Sequence, residues 1–353
     1  MDLLPLHAGG DASAPFHVGS VATAWQFSLP VTVAVAAAAA GYLAGVLAVR
    51  RAHPARPWPL WRSASFIVGL AVIVVATESG LGVYDDVLFW VHMWQHLLLL
   101  MVAPPLLLLG QPITLALHAT RNPWHSRLKR VVRSGAVSAL TFPLVGFGLY
   151  TATVVGTHLS GFMNLVLTHP VVHDLEHVLY LGVGYLYFLP LVGREPLRWR
   201  LSFPTQLFFL VLAMPVDTFT GVVLTQTSHE LFPAYVGRRD WGPSLVDDLH
   251  AGGAVMWIGG DGLMLVFILM MFAGVLAGRR SLDAGRWLES LRSARLAELT
   301  AGSAPAAARA PSGVAGVAGS DADDAQLAAY NDYLARLNSP GEHLARWSGE
   351  GGA

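Results

Sequence analysis

The chain has 353 residues, of which 54% are hydrophobic and only 13% charged, about half the charged content of an ordinary soluble domain. Lipid is therefore the expected solvent for most of it. A formal net charge of −1 gives no electrostatic case for nucleic acid as a partner. Cysteine is absent, which removes structural disulfides, thiolate ligands, a cysteine nucleophile and covalent haem attachment through CxxCH.

The N-terminal segment, residues 1–26, has no basic stretch before an apolar core and does not read as a cleaved signal peptide. Seven apolar stretches follow, near 27–49, 64–84, 87–109, 137–158, 171–193, 204–227 and 251–278. Each reaches or approaches the roughly 20 residues needed to cross about 30 Å of hydrocarbon. The expected fold is an all-α integral membrane protein, a seven-transmembrane-helix bundle over 27–280.

Basic residues collect in the loops after the first, third, fifth and seventh stretches: Arg50, Arg51, Arg56 and Arg62; Arg121, Arg127, Lys129, Arg130 and Arg133; Arg194, Arg198 and Arg200; and Arg279 onward. Only Arg238 and Arg239, of 22 Lys and Arg, oppose this bias. By the positive-inside rule the N-terminus lies outside and the C-terminus in the cytoplasm. Residues 281–353 form the expected cytoplasmic tail. It holds an Ala/Gly/Ser/Pro linker from about Thr300 to Gly319, followed either by a short helix capped by Ser320 with Leu327, Tyr330, Leu334 and Leu337 on one face or by a mostly disordered tail.

With that topology, ten of the 14 histidines fall at the outer side, and four (His53, His118, His125 and His343) fall inside. Apart from His7 and His17, the outer ones are His92, His96, His158, His169, His173, His177, His229 and His250. His92 and His96 share one face of the third helix, and His173 and His177 repeat the spacing on the fifth, with Glu176 beside them. The two pairs are expected to converge on one outward-opening pocket. Imidazole nitrogens so placed suit copper or zinc, and Asp248, Met93, Met163 and Met256 lie at comparable depth to complete a shell. The expected metal ligands are drawn from His92, His96, His173, His177, His169, His250, Asp248 and Met256. A lone interfacial histidine is more often an ordinary surface residue; the concentration on one rim carries the metal reading.

Three acids, Glu78, Asp217 and Asp261, fall inside expected spans, where an unpaired charge costs at least about 2.5–3.5 kcal/mol. They are expected to face the bundle interior, either as a relay or as hydrogen-bonded packing contacts. Pro215 should kink the sixth helix, and Gly252, Gly253, Gly259 and Gly260 should permit close packing of the seventh. HExxH, P-loop, GxSxG and dinucleotide motifs are all absent.

His92-x-x-x-His96 followed by Ala103-Pro104-Pro105-Leu106, Gly110 and Pro112 resembles the signature of the polytopic CtaG-type cytochrome c oxidase assembly factors. Further matches are His173-x-x-x-His177, Pro215 with Gly221, and Asp248 with Gly252, Met256 and Trp257. The resemblance covers roughly residues 27–280. It implies a multi-pass protein of the bacterial plasma membrane that helps copper reach a haem-copper oxidase, with oxidase subunits as partners and no catalysis of its own. His158, His169, His229 and His250 lie outside the motif and rest on topology alone. Two other functions fit the residues: a zinc-dependent membrane hydrolase using three histidines and an acid, and a haem-binding protein with axial histidines from two helices.

Overall fold

A computed structural model describes residues 7–8, 14–55, 57–193, 195–199 and 201–276, together with 292, 293 and 295. Seven helical segments carry the architecture: α1 (Leu29–Ala52), α2 (Leu60–Glu78), α3 (Phe89–Ala119), α4 (Pro143–His158), α5 (Pro170–Val192), α6 (Phe203–Gln226) and α7 (Leu245–Leu276). All except α4 belong to the six stretches that are long and apolar enough to cross a membrane. The departure from seven lies at the fourth expected span. Pro143 follows a break at Thr141 and Phe142, so that stretch divides into Gly135–Leu140 and a 16-residue α4, which rises only about 24 Å. The seventh expected helix, by contrast, begins earlier, at Leu245, where Ser244 Oγ accepts the Asp247 N–H as an N-cap.

Regular structure other than helix is confined, among the described residues, to a two-residue antiparallel pairing of His7–Ala8 with Phe27–Ser28. The described end of the N-terminal segment is tied to the bundle at Gln26. Gln26 donates its backbone N–H to Glu78 O and its side-chain amide to Thr77 O and Gly82 O.

α3 is the hub. Its first part, Phe89–Leu97, packs on α7, and its middle, Ala103–Leu109, lies between α2 and α5. Its last part, Pro112–Ala119, packs on α1. α4 rests on α5 and α6, and α6 on α7. The sequence of α3 explains its irregular course. Pro104 and Pro105 have no N–H to offer the preceding turn, and the chain responds with a π-helical turn at Leu98–Val102, where Ala103 N–H reaches Leu98 O. The Leu100 carbonyl left by Pro104 faces α5 at Gly184, where a Cβ would lie only 2.1 Å from it. Glycine is thus the residue that lets α5 approach α3 this closely. Gln111 then adopts a left-handed backbone, φ 51°, and redirects the chain into Pro112–Ala119.

The glycines of α7 do pack closely. A Cβ at Gly252 would meet the Phe89 ring at 2.3 Å, and one at Gly253 would meet Gly221 O of α6 at 2.8 Å. The chain divides into two units, Met1–Arg279 and Arg280–Ala353. In the latter, Arg292, Ser293 and Arg295 are helical; the expected linker and amphipathic helix lie outside the described residues.

Candidate metal centre

Two helix starts set the site. α3 begins at Phe89 because the Asp248 carboxylate accepts from the Phe89 and Trp90 backbone N–H groups at 3.1 and 3.0 Å, and Arg239 holds the same carboxylate at 3.1 Å. Those are orphan donors of a helix N-terminus, where a carboxylate is also favoured by the dipole. α5 begins with Pro170, whose fixed φ and missing N–H suit the first helical turn. His92 and His96 then sit in the first two turns of α3. His173, Glu176, His177 and Tyr180 share the facing stripe of α5 at i, i+3, i+4 and i+7.

Glu176 occupies the centre of the first group, with His92 Nε2 3.3 Å from one oxygen and His96 Nε2 3.4 Å from the other. The second group joins His173 and His177 to Asp85, which lies between α2 and α3; His173 Nε2 is 3.4 Å from Asp85 Oδ2. Within each triad one candidate ligand atom per residue lies within 4.8 Å of the others. The His92 and His173 rings lie nearly parallel with centroids 5.4 Å apart, so the triads share a wall.

A polar shell positions them. His92 Nδ1 lies 3.3 Å from Asp85 O, which also accepts from the Tyr235 hydroxyl at 3.0 Å. Since a carbonyl can only accept, the His92 proton belongs on Nδ1, leaving Nε2 as a bare lone pair facing Glu176. Gln95 Nε2 donates to Asp85 Oδ2 at 2.7 Å and to Ala76 O at 3.0 Å. Burial pushes the Asp85 carboxyl up, but the His173 imidazole beside it outweighs this and holds it below the usual carboxylate range.

What the cluster lacks is hydrogen bonds. His92 Nε2, both nitrogens of His96, His173 Nε2, His177 Nε2 and both oxygens of Glu176 are buried without a hydrogen-bond partner, the close approaches being misaligned for one. An unsatisfied buried polar atom costs about 1–3 kcal/mol, and here such atoms converge on one another. A cation would supply the missing partner for lone pairs of this kind. Four imidazoles and two carboxylates are a donor set suited to copper(II) or zinc.

The four paired histidines therefore come together, while other expected ligands do not join them. Asp248 is engaged as the α3 cap. His250 Nε2 lies 2.8 Å from Thr227 O. His169 is exposed and its Nδ1 lies near Thr168 Oγ1 and Leu165 O; His229 is exposed. Met256 is buried beside a cavity of about 20 Å³ that also touches Met93, His96, His158, Tyr180 and Asp217; Met163 is buried in the core. Of the three acids, Glu78 accepts from Thr32 at 2.6 Å. Asp217 accepts the Tyr150 hydroxyl at both oxygens, 2.8 and 2.7 Å. Asp261 accepts from Thr218 at 2.7 Å and leaves its other oxygen unpartnered.

Sequence reasoning missed Glu176 as the hub and Asp85 as a member. The i, i+3 relation of His173 to Glu176 was an available signal. Asp85 had only its depth to recommend it, since it sits in a connection rather than on a helical stripe.

Fold and site together define a helical bundle with six helices long and apolar enough to cross a membrane and an imidazole–carboxylate cluster near one end. The family model of the cytochrome c oxidase caa3 assembly factors (Caa3_CtaG) matches residues 40–277, and the chain belongs to that family. An uncharacterized protein of Mycobacterium bovis and one of Mycobacterium tuberculosis are each 29% identical over 258 residues, covering 70% of this chain and 39% of their own length. An uncharacterized Mycobacterium leprae protein is 27% identical over 274 residues, 75% of this chain and 41% of the relative. The chain thus spans about two fifths of the curated relatives it matches. No solved structure matches it.

Proposed function

We propose that this protein binds copper at the extracytoplasmic end of its bundle and delivers it to a haem-copper oxidase subunit in a bacterial plasma membrane, acting as an assembly factor rather than an enzyme. The observation that carries this reading is the convergence of buried, unpartnered nitrogen and oxygen atoms from His92, His96, His173, Glu176 and His177. Membership of an oxidase assembly family supplies the recipient's class. In this reading the protein crosses the membrane seven times, with Gly135–Leu140 and α4 together making the fourth crossing. Its N-terminus is outside, an orientation supported by the bias of basic residues.

Each triad offers two imidazoles and one carboxylate, enough to hold copper while leaving a position open for an incoming ligand. The matching test replaces His92 and His96 together with Ala. The variant should insert normally, since α3 becomes more apolar, while copper and activity of a haem-copper oxidase in the same membrane fall. Replacing His53 and His125 with Ala should be silent; equal damage there, or normal oxidase copper in the first variant, would defeat the reading. Orientation is checked separately. The chain has no cysteine, so a Ser126→Cys variant should resist labelling by a membrane-impermeant thiol reagent in intact cells.

A further inference from the structure

A second set of donors adjoins the imidazole–carboxylate cluster, and it contains sulfur. His158 closes α4 and is buried, 3% exposed. Its Nδ1 lies 2.8 Å from Val154 O and 3.0 Å from Thr157 Oγ1, whose own proton is directed to Thr153 O at 2.7 Å. The carbonyl can only accept, so the proton of the neutral ring sits on Nδ1 and Nε2 is a bare lone pair. That lone pair faces Met93 Sδ at 3.2 Å. A thioether has no proton to give, so in this tautomer two lone pairs meet in a buried place with no hydrogen between them.

The same cavity of about 20 Å³ is lined by His96 and Met256. Both nitrogens of His96 lack hydrogen-bond partners, and His96 is also a member of the Glu176 triad. The Met256 stretch, Val255–Gly259, is itself a π-helical turn in α7, a local form frequent at functional sites.

We propose that Met93 and His158, with Met256 and His96 on the same cavity, form a soft site for monovalent copper beside the harder cluster. Thioether and imidazole donors prefer Cu(I), whereas the carboxylate triads prefer harder ions. Zinc takes imidazole nitrogen and thiolate sulfur at about 2.0 and 2.3 Å, and an ion of similar reach can span donors 3.2 Å apart. His96 borders both donor sets and would serve as the ligand retained while an ion exchanges its other partners. That movement is ligand exchange alone, with no change of oxidation state. The proposal rests on the copper reading above but is tested apart from it.

The full chain, purified in detergent and loaded anaerobically with Cu(I), is examined by X-ray absorption at the copper edge. Because the chain has no cysteine, any sulfur scattering from bound copper comes from methionine. The expected spectrum of the native protein has a Cu–S shell. That shell should disappear in Met93→Leu/Met256→Leu, a nearly volume-conserving change, with Cu(I) affinity down about tenfold or more. Copper bound through nitrogen and oxygen alone in the native protein would overturn the sulfur site while leaving the copper reading standing. A sulfur shell unchanged in the double variant would overturn the assignment to these methionines. Failure of the native protein to bind copper in either oxidation state would overturn both proposals.

Discussion

Two buried glutamates lie at opposite ends of α5 and have opposite surroundings. Glu195, just beyond the end of the helix, accepts from Ile113 N–H, Thr114 N–H and the Thr114 hydroxyl at 3.0, 2.8 and 2.5 Å. It caps the Pro112–Ala119 part of α3, directly after the Gln111 bend, and its lone pairs are engaged. Glu176, near the start of α5, accepts no hydrogen bond and faces imidazole nitrogens instead. Similar burial therefore has two meanings. The satisfied carboxylate fixes the path of the chain, and the unsatisfied one faces only imidazole nitrogens, as the proposed metal site requires.

That contrast can be broken by exchanging the roles. The largest effect is expected at Glu176: Glu176→Gln should lower bound metal per chain by about 10–100-fold, read by elemental analysis of the purified protein. Thermal unfolding of the metal-free variant should be at least as high as that of the parent, because a buried unpaired charge has been removed. A metal content equal to the parent's would end the case for Glu176 as a ligand.

The converse change, Glu195→Ala, should leave metal content unaltered and cost about 1–3 kcal/mol of stability by orphaning helix donors. Thermal unfolding in detergent measures it. Asp248→Ala belongs with Glu195 in this comparison, since it too caps a helix; a loss of about 1–2 kcal/mol is expected. If metal were lost there without loss of stability, Asp248 would return to the list of ligands.

The smallest effect is a pH slope. Burial raises the Glu195 carboxyl above its ordinary range, against the Thr114 and Ile113 donors. Its folded-state value therefore exceeds the unfolded one, about 4.3. The stability that protonation contributes is complete below the unfolded pKa and lost as pH rises through the folded value. Glu195→Gln cannot titrate, so its stability should vary less with pH over that interval. An unchanged slope would show that Glu195 has the same affinity for its proton in both states.

Much of this molecule was legible in the sequence because lipid enforces simple rules. Apolar length located six helices, and the spacing of His92 with His96 and of His173 with His177 identified residues that do meet. The fourth expected span is helical but divided, because a proline follows a two-residue break at Thr141 and Phe142, a feature that hydropathy averages away. Depth alone does not distinguish a ligand from a cap: the Asp248 carboxylate accepts from the Phe89 and Trp90 backbone N–H groups, which the sequence does not display. His158 was hidden for a related reason. Its relation to Met93 spans 65 positions and exists only where the end of α4 meets the first part of α3, at Met93 and His96.

The π turn at Leu98–Val102 divides α3 into two reading frames. An α-helical residue turns the chain by about 100°, so the additional residue of a π turn rotates everything before it by that amount relative to everything after it. The face that presents His92 and His96 to α5 is thereby indexed independently of the face that packs Ala103–Leu109 between α2 and α5. Deleting one residue from this turn would preserve composition, hydropathy and nearly the length of the helix, yet swing both histidines about a quarter-turn away from Glu176. In such a chain a histidine-bearing end and a packing end can diversify separately, with five residues acting as the gear between them.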